Sequence, residues 1–164
     1  MTSSPRDVAS LRYPEPSPDT GELPETREVT GEVDSAGLRV LSPDECLHLL
    51  TRVPIGRIVF TDRALPAVQP VNYLLVDYDI VIRTATGSKL AAATRNAVVA
   101  FEVDEFDPLT RTGWSVTAVG RSRAVTEFDE LQRLTALPLT SWAPGDHNHF
   151  IVIRAQQLTG RQII

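Results

Sequence analysis

QPVNYLLVDYDIVIRTATGSK, residues 69–89, decides how this chain folds. Two apolar runs, VNYLLV and DIVIRT, are rich in β-branched and aromatic residues. Asp77-Tyr78-Asp79 joins them, so together they read as two strands and a turn. The end of the second run and the residues after it supply Arg83, Thr84, Thr86, Gly87, Ser88 and Lys89: two cations and three hydroxyls around one glycine. A phosphate group is held by that mixture of fixed positive charge, small hydroxyl donors and inward-turned backbone N–H groups. Lys89 is the only lysine, the other fifteen basic residues being arginine. A lysine kept in so arginine-rich a chain points to a compact charge on a mobile stem. Residues 88–96, SKLAAATRN, read as a short helix whose free N–H groups face the same anion.

Outward from this stretch the chain alternates short strands with turns. Ser42-Pro43-Asp44-Glu45 is a capping box with proline at the first helical position, and it opens the helix CLHLLTR. Leu47, Leu49 and Leu50 form its buried side, and Pro54 with Gly56 ends it. Residues 56–60 read as a strand and 61–63 as a turn. Residues 67–69, between Pro66 and Pro70, read as an edge strand. Further strands are expected at 97–103, at 113–126 with a bulge or bend at Gly120, and at 150–154 and 158–163. Residues 104–112 read as a polar loop, 128–137 as a helix and 142–149 as a loop. About seven strands with two or three short helices make a mainly β protein, a barrel or a sandwich. Most connections are too short for the crossovers of a parallel α/β sheet.

The 164 residues suit one domain, and 42% apolar content supplies a core. The single cysteine, Cys46, excludes an internal disulfide framework and a Cys-rich metal site; on its helix it reads as a small buried residue. No apolar run reaches the roughly 20 residues of a membrane span, and the N-terminus lacks the pattern of a signal peptide. A soluble cytoplasmic protein without a membrane partner is expected. Residues 1–40 carry eight acidic and four basic side chains, and residues 41–164 carry thirteen and twelve. The second segment is nearly neutral, which argues against a nucleic-acid binder. Residues 1–38 hold five of the twelve prolines and few large apolar residues. They cannot bury enough surface to offset the entropy of ordering. We therefore expect a loosely packed extension over 1–40 and a folded domain over 41–164.

Ordinary side-chain catalysis is poorly supplied. ATGSK has one glycine where a Walker loop needs two, and no GxGxxG or HExxH occurs. His147 and His149, near Asp146, lack a third ligand, so no metal site is assigned. No Ser-His-Asp arrangement emerges, and catalytic residues stay unassigned. The residues do supply a holder for a phosphorylated planar ligand. Arg83, Thr84, Ser88 and Lys89 suit the phosphate, backbone groups of Val71–Tyr73 suit a ring edge, and Trp114 and Ser115 suit a pocket wall. The competing reading makes Arg83 an outward surface side chain and Trp114 a core aromatic.

PVNYLLVDYDIVIRTATGSKLAA, followed by VAFEVDEFD and GWSVTAVGRSR, resembles the pyridoxamine 5′-phosphate oxidase-like flavoproteins over about residues 42–163. The resemblance implies a six-stranded Greek-key FMN-binding split barrel, homodimeric, with two cofactor sites at the subunit interface. By position, Arg83, Thr84, Ser88 and Lys89 would hold the FMN phosphate and ribityl chain. Val71, Asn72 and Tyr73 would lie against the isoalloxazine ring, Trp114 and Ser115 would flank it, and Arg161 would add a cation across the interface. The implied activity is an FMN-dependent oxidoreductase acting on a small-molecule substrate. A non-catalytic flavin carrier or sensor, and an F420-dependent reductase, are the alternatives on the same fold. The chain ends TGRQII where pyridoxamine phosphate oxidases carry an Arg-Leu-x-Pro-type tail, which argues against pyridoxal phosphate synthesis.

Overall fold

The computed structural model describes residues 31–85, 87–88, 90–91, 94–142, 145 and 147–164. They form seven strands: β1 Arg39–Val40, β2 Ile55–Asp62, β3 Leu65–Val76, β4 Asp79–Thr84, β5 Val98–Asp107, β6 Thr112–Ala124 and β7 His149–Ile163. Two helices accompany them, α1 Pro43–Leu50 and α2 Phe128–Thr135. Every pairing is antiparallel. The order β7-β4-β3-β2-β5-β6 closes on itself through a β6–β7 ladder. Six long strands thus make a ring, with no free edge along their paired lengths. The resemblance implied six strands; the seventh, two-residue β1 extends the sheet at the Arg161–Gln162 end of β7.

The Greek key is visible in the order. β2, β3 and β4 follow one another by tight turns, and β5 returns by the long connection 85–97 to lie beside β2. Two apolar layers explain why β4 and the first half of β7 read as unbroken apolar runs. Ile80, Ile82, Ile151 and Ile153 point into the ring, against Ile58, Phe101, Val103 and Val116. Val81, Phe150 and Val152 point outward, beneath Leu131 and Leu134 of α2. Burying each such side chain contributes about 1.5–3 kcal/mol.

α1 begins as its capping box predicts. Ser42 Oγ accepts the Glu45 N–H at 3.3 Å, and Glu45 Oε2 accepts the Ser42 N–H at 2.8 Å. Its buried residues are Cys46 and Leu50, with Leu47 and Leu49 half-buried against the core. Cys46 lies against Gly160, where a Cβ would come within 2.6 Å of its sulfur. Burial pushes the Cys46 thiol pKa up.

Several strands run longer than their local sequence announces. Residues 67–69 are part of β3, which continues unbroken through Pro66 and Pro70. Both prolines lie where β3 is paired with β2 alone, so their missing N–H groups cost no bond on the open side. β5 continues to Asp107 through residues read as loop, because its hairpin with β6 pairs out to Asp107 and Thr112. The two closing strands are one. β7 runs from His149 to Ile163, with an irregularity opposite Val119 and Gly120 that leaves Gln156 as the extra residue. Gly120 sits at this irregularity, and a Cβ there would meet the Arg154 carbonyl oxygen at 1.9 Å.

Residues 31–40, read from sequence as part of the extension, contribute β1 and an ion pair between Asp34 and Arg161 at 2.7 Å. Residues 1–30, the rest of the expected extension, lie outside the described residues. So do Thr86 and Lys89, and part of the helix expected over 88–96. Within that helix, Leu90 and Ala91 are helical, and Leu90 O accepts the Thr94 N–H at 3.0 Å. No helix among the described residues is long and apolar enough to cross a membrane.

Candidate functional site

β3 and β4 part company at one point. Their ladder runs from Val76–Asp79 to Tyr73–Ile82 and stops there. Beyond it Val71 and Asn72 leave Arg83 and Thr84 unpaired across the gap, so backbone groups of both strands face each other without a ladder. A cleft of about 210 Å³ opens in this split, lined by Val71, Asn72, Arg83, Thr84, Trp142 and His147 among others. Four residues singled out in the sequence are thereby brought together.

Strand alternation sorts these side chains between two faces. Val71 and Tyr73 point into the ring with the main core, whereas Asn72 and Arg83 point outward. Three consecutive strand side chains cannot all lie against one flat ring, so a contact shared by Val71, Asn72 and Tyr73 would run through their backbone groups. Tyr73 is a core residue. It is 4% exposed, packs edge-on against Phe101 with centroids 4.7 Å apart, and donates its hydroxyl to the Leu50 carbonyl. Burial pushes its pKa well above the ordinary tyrosine value. Only its backbone is left for a ligand.

Arg83 faces the segment between α2 and β7. Its Nε–H donates to His147 O, Nη1 to Leu139 O at 3.2 Å and Nη2 to Asn148 Oδ1 at 3.5 Å. The guanidinium also lies 5.5 Å from the centre of the Phe150 ring. Each of these partners is neutral, so the positive charge is not cancelled by them. Guanidinium carries five N–H donors, and three are used here. Two have no partner among the described residues. Thr84 Oγ1 lies 3.3 Å from Ser88 Oγ, and Ser88 Oγ accepts the Ala91 N–H at 3.0 Å. His149, the cross-strand neighbour of Thr84, buries Nε2 with no hydrogen-bond partner among the described residues. Alternation puts Arg83 on the outward face of β4 and Thr84, with His149 beside it, on the ring-facing one, so the cation and the hydroxyls can share a cofactor phosphate only at the open end of the strand. Lys89, expected to join them, lies outside the described residues.

The remaining candidates are elsewhere in the chain. Trp114 is 5% exposed in the main core, and its Nε1–H donates to Glu105 Oε2 at 3.3 Å. The competing reading of Trp114 as a core aromatic is the one observed. Ser115 and Arg161 are register partners across β6 and β7. Arg161 is engaged by Asp34 and by the Gly160 carbonyl, so its charge is already paired. None of the three lines the split between β3 and β4.

Sequence reading missed the far wall of the cleft. Ser141, Trp142 and His147 come from the segment before β7, and Trp142 is 70% exposed. Its main-chain N–H donates to Asn72 Oδ1 at 2.9 Å. The only local signal for this wall was an aromatic residue in a loop of small and polar neighbours.

A closed antiparallel ring with a split between two adjacent strands, charged and hydroxylated at its lip, defines a split barrel. The family model for pyridoxamine 5′-phosphate oxidase matches residues 42–162, and the chain belongs to that family. Uncharacterized protein Rv0080 of Mycobacterium tuberculosis is 38% identical over 129 residues, covering 76% of this chain and 84% of that protein. The structure of the FAD binding protein from Mycobacterium smegmatis is similar at 32% identity and a TM-score of 0.64, over 76% of this chain and 96% of that one. A FAD-binding protein from Mesorhizobium loti is similar at 27% identity and a TM-score of 0.64, over 77% of this chain and 99% of that one.

Proposed function

We propose that this chain is a flavin-dependent oxidoreductase that holds FMN in the split between β3 and β4. One observation carries the reading: the β3–β4 ladder ends at Tyr73–Ile82, so Arg83 and Thr84 line a cleft against Val71 and Asn72, whose backbone is paired there with β2 alone, and Ser88 Oγ lies 3.3 Å from Thr84 Oγ1. Arg83 and the two hydroxyls hold the phosphate end, with Lys89 as the second cation. Backbone groups at Val71 and Asn72 meet the polar edge of the ring system. The bound flavin supplies the redox chemistry, and the protein supplies binding, orientation and a partly dry surrounding. That division of labour agrees with a chain in which no catalytic side-chain set emerges.

The protein acts as a homodimer in this reading. Ser115 and Arg161 lie away from the cleft in their own chain, and a second subunit offers them a route to the cofactor, whereas the Trp114 side chain stays in its own core. A cytoplasmic location accompanies the reading. The FAD binding of two similar proteins supports a flavin and makes FAD the competing nucleotide.

The test is an absorption spectrum of the purified protein, with the released chromophore identified by mass. Flavin retained at about one per subunit supports the reading, and its mass separates FMN, FAD and F420. A colourless protein that retains none of them after incubation and washing overturns it. Reduction of the bound flavin by NADH or NADPH, followed by turnover with acceptors, distinguishes an enzyme from a flavin carrier or sensor.

A further inference from the structure

A second cleft, of about 470 Å³, adjoins the first. It lies between the end of α1, β3 and residues 138–142, with Leu50, Val53, Leu74 and Leu139 among its walls. Asn72 and Trp142 line both clefts, so the 2.9 Å bond between them is the partition. Its size is that of a small-molecule pocket. Among its lining residues Arg52 alone carries a formal charge.

We propose that this cleft binds a small, flat, largely apolar molecule carrying one anionic group such as a carboxylate. Three features select that class. The leucine and valine walls favour an apolar body. The exposed indole of Trp142 offers a face on which a flat ring stacks. Arg52 supplies the single positive charge, and its geometry suits a carboxylate.

Arg52 can be recruited. Its Nη2 is 3.4 Å from Glu105 Oε2, and both side chains are about half exposed. Such an exposed ion pair contributes little and is readily exchanged. Glu105 is not stranded when Arg52 leaves, because Trp114 Nε1–H already donates to it. Assigning the cleft as the substrate site of the oxidoreductase rests on the flavin reading above. The binding site itself does not.

Calorimetric titration of the full chain with 2-naphthoate and with neutral 2-naphthylmethanol tests the pocket, with flavin content recorded on each preparation. The expected result is naphthoate binding about tenfold tighter than the alcohol, as one arginine–carboxylate contact provides. Arg52→Ala is expected to remove that preference while leaving alcohol binding unchanged, and Trp142→Ala to weaken both. Both side chains are exposed by half or more, so the variants keep the fold. Absence of naphthoate binding, or binding unaffected by both variants, overturns the proposal. Loss of naphthoate binding when FMN is saturating also overturns it, because the flavin then fills the cleft. Naphthoate binding with the expected variant pattern in a protein that holds no flavin supports the pocket and leaves the flavin reading to fail alone.

Discussion

The side-chain oxygen of Asn72 accepts the main-chain N–H of Trp142 at 2.9 Å, across 70 residues of sequence. This one bond ties β3 to the wall that separates the two clefts. Asn72→Ala is expected to cost about 1 kcal/mol of stability, the usual size of such a bond. It should also loosen Trp142. Acrylamide quenching of tryptophan fluorescence checks this, with buried Trp114 as the internal baseline. Quenching unchanged from the parent protein would show that the bond does not hold the wall.

Arg83→Ala combined with Lys89→Ala is expected to weaken flavin binding by a hundredfold or more, at about 1.5–3 kcal/mol per charge-assisted bond. Flavin affinity by fluorescence titration measures the loss, and far-ultraviolet circular dichroism checks the fold. Arg83→Ala alone carries a second consequence, because Leu139 and His147 lose the donor that holds their carbonyls. Unchanged affinity in the folded double variant would move the phosphate site elsewhere.

Gly120→Ala is expected to destabilise the barrel by about 2–4 kcal/mol, within the range of severe steric substitutions. The obstruction is backbone, the Arg154 carbonyl at 1.9 Å from the new Cβ, and no side-chain rotation relieves it. Urea unfolding gives the change directly. Gly37→Ala makes a useful contrast: nothing lies near its new Cβ, and the cost there is the positive φ of 81° alone.

Acid should find the capping box early. The Ser42 N–H and the Arg39 guanidinium hold the Glu45 carboxyl below its ordinary value of 4.5. The Leu38 N–H and Arg161 do the same for Asp34. A carboxyl lowered by folding contributes stability that is present above the unfolded value and lost as pH falls through the folded one. The unfolding temperature should therefore hold steady above about pH 5 and fall below about pH 4. Glu45→Gln keeps the capping bond without the titration and should flatten part of that acid limb.

Deleting residues 1–38 removes Asp34, which pairs with Arg161 and accepts the N–H groups of Ala36 and Leu38. A chain starting at Arg39 is expected to melt at a lower temperature than one starting at Gly31. Parallel thermal melts of the two decide it, and equal stability would make residues 31–38 dispensable.

Much of this architecture was readable because local and tertiary signals agree. The hairpin of β3 and β4 is apolar on its core positions and turns at Asp77, which takes a positive φ of 54°. α1 carries its own start signal in Ser42 and Glu45. What escaped was set by distance. Pro66 and Pro70 look like strand breakers until the open side of β3 is known. Gln156 hides the continuity of β7, since an extra residue shifts the alternation by one. Side by side in sequence, Asn72 and Tyr73 read as one contact; the pleat sends one to the cleft wall and the other into the core. Trp142 joins the site only through a loop that no periodicity announces.

β7 pairs with β1, β4 and β6, and each of these precedes it in the chain. Before residues 149–163 are in place, β4 and β6 present unpaired edges, and the apolar layer of Val81 has no Phe150 or Val152 beside it. Closure must then wait for contacts between residues more than sixty positions apart, such as Thr84 with His149, which is the slow kind of folding step. Until that moment the nascent chain carries sticky strand edges of the sort that recruit other chains. A fold organised so that its last strand seals it leaves the half-made protein, rather than the finished one, as the form most in need of protection.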